Sequence, residues 1–182
     1  MAGQRLTDKT AFTDNLASDD LLMCVDTSDT TGSAEGTSKK IDNKFIIQTD
    51  KVSVTSVIFL AMDDSGGAGT YATLIAAPDA GYFIQILGIT AVVDYISGTQ
   101  GSKVALYFGW DATSPSPSYA SASGFMHNQT ADLNYAFSAN NTPSAAGGVG
   151  GIDNRGVVVF SGGNFSSTFN ADFYITYQIV KT

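Results

Sequence analysis

From Ala171 to Val180 the chain reads Ala-Asp-Phe-Tyr-Ile-Thr-Tyr-Gln-Ile-Val. Phe173, Ile175, Tyr177 and Ile179 fall on one face of an extended segment, and Thr176 and Gln178 on the other. A side-chain period of two belongs to a strand with one buried face, and an amphipathic helix cannot share it. Further stretches rich in β-branched and aromatic residues repeat the message at residues 52–62, 71–77, 82–95, 103–110, 133–137 and 156–161. The run 82–95 is apolar on both faces and carries Gly88 at its middle, which predicts a bulge or bend there. Composition agrees. Glu occurs once, at Glu35, and Leu is sparse, while Thr, Ser, Val, Ile, Tyr and Phe are plentiful. Such a chain lacks the residues that favour helices and has those that favour strands.

Between the strand candidates lie stretches of Gly, Ser, Asn, Asp and Pro: 64–69, 97–101, 113–118, 139–151 and 162–164. These residues suit turns. The segment 139–151 is the only low-complexity one and reads as a mobile loop. Many short strands, turn-rich connections and no convincing helical period predict an all-β fold. The expected form is an antiparallel β-sandwich, jelly-roll-like, preceded by an extended N-terminal segment. With 43% hydrophobic and 11% aromatic residues the chain can bury enough surface to order itself.

Charge divides the chain. Residues 1–51 hold Arg5, Lys9, Lys39, Lys40, Lys44 and Lys51, six of the nine Lys and Arg residues, and polar texture gives way to long apolar runs at the same point. The sequence therefore predicts an N-terminal segment over 1–50 and a β-sandwich over 51–182. The first segment has two apolar clusters, one around Leu21, Leu22 and Val25, the other Phe45, Ile46 and Ile47. Neither can make a core alone, so the segment is expected to order by packing on its own domain or on other chains. A net charge of −8 and charged residues at only 14% argue against phosphate backbones and anionic lipid as partners. No nucleic-acid or membrane partner is expected. Residues 1–8 hold no apolar run, so no secretory signal is expected. The single Cys24 fits assembly in a reducing cytoplasm.

Chemistry-bearing patterns are few. Structural zinc needs four Cys or His ligands, and the chain offers Cys24 and His127. Counted from Asp26 as an EF-hand loop, position six is Thr31 rather than Gly, so the calcium pattern fails. Asp63-Asp64-Ser65-Gly66 reads as a solvated turn. A serine triad must use His127, and no Gly-x-Ser-x-Gly elbow presents a nucleophile. Nothing singles out a carboxylate pair for glycoside cleavage. The run Gly147-Gly148-Val149-Gly150-Gly151 lacks the Lys-Ser/Thr ending of a phosphate loop. The chain is expected to be no enzyme and to need no cofactor or metal. Among the aromatics, Trp110 and Tyr119 flank a Pro-Ser loop and are candidates for surface recognition, with packing the commoner fate of such rings.

Two phrases carry a family resemblance. Asp19-Asp20-Leu21-Leu22-Met23-Cys24-Val25-Asp26-Thr27-Ser28-Asp29-Thr30-Thr31, followed by Gly36-Thr37-Ser38-Lys39-Lys40-Ile41, resembles an N-terminal module of tailed-bacteriophage virion proteins. There an acidic strand and a basic strand flank a short loop. Downstream, Leu74-Ile75-Ala76-Ala77-Pro78-Asp79-Ala80-Gly81, Asp94-Tyr95, Leu106-Tyr107-Phe108-Gly109 and the segment 172–179 resemble a small β-sandwich domain of phage structural proteins. The sequence departs from that pattern at Asp79 and Tyr82, where Gly and Lys are usual, so the turn is expected to differ and the strands are not. The resemblance implies a capsid decoration or head-fibre protein on the virion, assembled in the bacterial cytoplasm. The alternatives are a tail-associated fibre or adaptor and a module binding host-surface glycans. It implies a homotrimer that contacts other virion proteins, such as the major capsid protein or a tail or portal component. Leu21, Leu22, Val25, Lys39, Lys40, Phe45, Ile46 and Ile47 are then the expected oligomer or anchor contacts.

Overall fold

The computed structural model describes residues 21–32, 36–42, 46–62, 71–110, 119–137 and 154–181. The chain divides into two compact units, Met1–Phe45 and Ile46–Thr182.

In the first unit, β1 (Leu21–Asp26) and β2 (Thr37–Asp42) pair antiparallel, from Leu21 opposite Asp42 to Asp26 opposite Thr37. Two side-chain turns leave β1. The Asp26 carboxylate accepts from the Ser28 N–H at 3.0 Å and from its hydroxyl. The Asp29 carboxylate does the same with Thr31, at 3.0 Å to the N–H. Asp, Ser and Thr favour such local bonds because they replace a strand's ladder partners.

The second unit opens earlier than the sequence suggests. Strand β3 runs from Gln48 to Val54 and pairs along its length with β10 (Thr168–Lys181). The body therefore begins at Ile46 rather than after residue 50, and Ile46 and Ile47 belong to it. The other strands are β4 (Ala72–Ile75), β5 (Tyr82–Ser97), β6 (Leu106–Trp110), β7 (Ala120–Ala122), β8 (Leu133–Phe137) and β9 (Val157–Ser161). They form two four-stranded sheets, β3-β10-β5-β8 and β4-β9-β6-β7. From outermost to innermost, β3 pairs with β10, β4 with β9, β5 with β8 and β6 with β7, all antiparallel. That nesting is a long antiparallel hairpin wound over on itself so that successive pairs alternate between sheets. Among the described residues the body is an eight-stranded jelly roll.

Each long strand turns one face inward. On β10 the buried residues are Phe169, Ala171, Phe173, Ile175 and Tyr177, at a strict period of two. On β5 they are Ile84 and Ile86, then Ile89, Ala91 and Val93, so the parity changes at mid-strand. The register explains it. Thr176 lies opposite Gly88 and Tyr177 opposite Ile86, so Leu87 is an extra residue in a bulge beside Gly88. The bulge lets a run that seems apolar on both faces keep one face in the core.

One expected strand is not all strand. The stretch 52–62 leaves the sheet at Val54 and forms the helix α1 (Ser56–Ala61). Its residues favour strands by propensity, but packing overrides that. Phe59 is fully buried, with its ring 4.5 Å from that of Phe169 and 5.8 Å, edge-on, from Phe165. Strand β7, Ala-Ser-Ala, carries no periodic signal in the sequence. The turns 64–69, 113–118 and 139–151 lie outside the described residues.

Candidate functional site

In the hairpin unit the expected anchor residues take defined register positions. Leu21 faces Asp42, Leu22 faces Ile41, Val25 faces Ser38 and Lys40 faces Met23 across the pair. Phe45 lies outside the described residues. Lys39 is not free for a distant acid: its ammonium pairs with the Asp29 carboxylate of the same hairpin. That contact, with the Thr31 hydroxyl and N–H, holds the Asp29 carboxyl down at about 2. The Asp26 carboxyl is also lowered, first by the Ser28 hydroxyl. In the jelly roll, Ile46 is half-buried and Ile47 is 59% exposed.

The two recognition candidates do not form a surface platform. Tyr119 is 6% exposed and belongs to the core. Burial raises its phenol above the usual value. Trp110 is half-buried, and its indole N–H donates to the Ile84 carbonyl at 3.1 Å. That bond ties β6 of one sheet to β5 of the other, so the ring is a cross-brace of the sandwich. His127 sits in a tight connection in which Gly124, Met126 and Asn128 all take positive φ. Its N–H donates to the Gly124 carbonyl at 3.0 Å, and its ring makes no hydrogen bond among the described residues. Beside it, the fully buried Gln100 donates to the Ser102 carbonyl at 3.1 Å and accepts from the Ser166 N–H at 2.7 Å, while its backbone carbonyl accepts from the Asn128 N–H at 3.0 Å, fastening three connections at one end of the body. Among the described residues no three His, Cys, Asp or Glu side chains stand close enough together to hold a metal ion. None of the described helices is long and apolar enough to cross a membrane.

One concavity among the described residues gives no signal in the sequence. It lies on the outer face of the β3-β10-β5-β8 sheet, an open hollow of about 320 Å³ lined by Ser53, Thr55, Val92, Asp94, Asn170 and Asp172. Alternation points these side chains away from the core: Ser53 pairs with Asp172, Asp172 with Val92, and Asn170 with Asp94. Thr55 is the N-cap of α1, yet its hydroxyl makes no capping bond. Asn170 does that work instead, accepting from the Ser56 N–H at 3.0 Å. The Asn170 amide also reaches the Asp94 carboxylate, at a long 3.4 Å. Asp172 is fully engaged. Lys51 lies 2.8 Å away and the Ser53 hydroxyl donates to it, and these hold its carboxyl below the usual range. The Lys51 ammonium is correspondingly raised, first by its bond to Asp172.

No protein-family model matches the chain, and no curated protein does. Among solved structures, five chains match. One, from the three-dimensional structure of Cocksfoot mottle virus, has 11% identity and a TM-score of 0.29, covering 99% of this chain and 96% of that one. Another, from the native virion of Kashmir bee virus at acidic pH, has 8% identity and a TM-score of 0.32, covering 95% and 96%. A third, from deformed wing virus, a honeybee pathogen, has 8% identity and a TM-score of 0.27, covering 100% of this chain and 57% of that one. At such TM-scores the assignment of the fold rests on the strand order of this chain itself.

Proposed function

We propose that this chain is a structural component of a tailed-phage particle, a capsid decoration or head-fibre protein displayed on the virion surface. The observation that carries the reading is where the two virion-like phrases fall. The acidic phrase is β1 with its two side-chain turns, and the basic phrase is β2. Together they make one hairpin, in a unit separate from the jelly roll. A two-stranded hairpin is marginal in water by itself. Its apolar strand Leu-Leu-Met-Cys-Val therefore favours docking onto other chains, as an anchor does. The second phrase falls on β4 and its turn, β5, β6 and β10. The turn that departs from the usual pattern closes with the Tyr82 N–H on the Asp79 carbonyl at 3.2 Å, with Gly81 at φ 83°. Fold alone names no function, since jelly rolls serve many.

On this reading the partners are further copies of the chain, as a homotrimer, and a virion protein such as the major capsid protein or a tail or portal component. A tail-associated fibre or adaptor is the second reading, because the same hairpin suits either location. A cryo-electron-microscopy map of the intact particle tests both. Three-fold jelly-roll density on the head supports decoration. The same density on the tail supports the fibre or adaptor, and its absence from the particle overturns the proposal.

A further inference from the structure

We infer that the hollow on the outer face of the β3-β10-β5-β8 sheet is a binding site for a neutral pyranose sugar. The inference does not depend on the particle reading and holds whether or not the chain sits on a virion.

Charge narrows the ligand first. Asp94 lines the hollow with no cationic partner among the described residues and repels anions, whereas the charge of Asp172 is met by Lys51. The nearby cation, Lys51, is committed to Asp172 and lies 5.9 Å from the centre of the Tyr174 ring. A divalent cation takes about six to eight oxygen ligands. Here one carboxylate, Asp94, is left without a cationic partner among the described residues, so the site is poor for metal as well. The choice among the remaining ligands falls to the hydrogen-bonding groups, which fit a neutral, hydroxyl-rich one.

The hydrogen-bonding groups narrow it further. Thr55 brings a hydroxyl released from capping duty. Asp94 brings an Oδ1 with no hydrogen bond among the described residues, its Oδ2 meeting only the long contact from Asn170. Asn170 keeps a second amide N–H. A strong acceptor, a donor and a group that does both converge from three elements: β5, β10 and the start of α1. Beside them Val92, 47% exposed, puts an apolar patch on the floor. Vicinal hydroxyls that donate to a carboxylate and accept from an amide, attached to a ring with an apolar C–H face, match this arrangement. The volume lies at the small end of ligand pockets, roughly 300–1,000 Å³, which suits one or two sugar rings.

Saturation-transfer NMR on the full-length chain tests this with D-glucose, D-galactose, N-acetyl-D-glucosamine and L-rhamnose as probes. At least one is expected to show transfer to its ring C–H protons. Asp94→Ala should weaken that binding about tenfold, the usual effect of losing a hydrogen bond to a charged group. Val92→Trp should abolish it by filling the floor. Residue 92 faces solvent, so this variant should fold, and an unchanged melting temperature checks that it does. Thr73→Ala, on an exposed position of β4 in the opposite sheet, should bind as the parent does. The inference is overturned if no probe shows transfer, if transfer persists in both hollow variants, or if it falls equally in Thr73→Ala.

Discussion

Phe59 meets the rings of Phe125, Phe165, Phe169 and Phe173 at centroid distances from 4.5 to 6.4 Å, and it comes from α1, the one helix among the described residues. Removing it leaves a cavity lined by aromatic faces that cannot all close in. Phe59→Ala should cost about 3–5 kcal/mol, read from urea unfolding of the full chain. A loss below about 1 kcal/mol would mean that α1 is not part of the core. Asp29 offers a different kind of test. Its carboxyl is depressed from 3.8 to about 2 by Lys39 and Thr31. A depressed carboxyl stabilises the fold fully above its unfolded value, and that contribution is lost as pH falls through the folded value. The hairpin should therefore keep its Asp29 contacts above about pH 4 and shed them between there and about pH 2. NMR titration of the Asp29 carboxyl should give a midpoint near 2, moving toward 3.8 in Lys39→Ala. A midpoint near 3.8 in the parent chain would mean that the Lys39 pair does not persist in solution.

At the scale of elements, the strands that announce themselves are those whose neighbours in sequence share a burial rule. Strand β10 shows its face because every second residue from Phe169 to Tyr177 is buried. Strand β5 shows its length and its bulge, the latter through Gly88. Helix α1 stays hidden because Val57, Ile58 and Phe59 look like strand, and the groups that make them helical, Asn170 and Phe169, lie more than a hundred residues away. The hollow is hidden for the same reason. Its residues come from positions 53–55, 92–94 and 170–172, and no local pattern links them. Trp110 and Tyr119 stand in the sequence as rings beside a loop, a local signal that says nothing of the partners that bury them. The start of β3 has a practical consequence. Removing residues 1–45 should leave a folded jelly roll with a melting temperature close to that of the full chain's body. Removing residues 1–50 also strips Gln48, Thr49 and Asp50 from β3 and bares Tyr177, Thr176 and Ile175 on the edge of β10. It takes away both acceptors of the Tyr177 hydroxyl, which bonds Gln48 at 2.9 Å and Asp50 at 3.0 Å. The longer deletion should melt lower and aggregate, because an unpaired apolar strand edge templates association. Equal melting of the two deletions would count against β3 as a full member of the sheet.

At the scale of the whole molecule, two units differ in how far they satisfy themselves. The jelly roll closes its own core between two sheets, whereas the described residues of the first unit form a single strand pair that includes an apolar strand. On the proposed function the hairpin attaches and the jelly roll is displayed, and one measurement bears on that division most directly. On that same reading, tagged full-length chain and the same chain lacking residues 1–45 are expressed in bacteria infected by a phage whose genome carries this gene. Particles are then purified on a density gradient and probed for the tag. The full-length chain should travel with the particle band. The truncated chain, soluble and folded, should stay behind in the host lysate. A full-length chain found only in the lysate, or a truncated chain that enters particles as well as the full one does, would contradict the account.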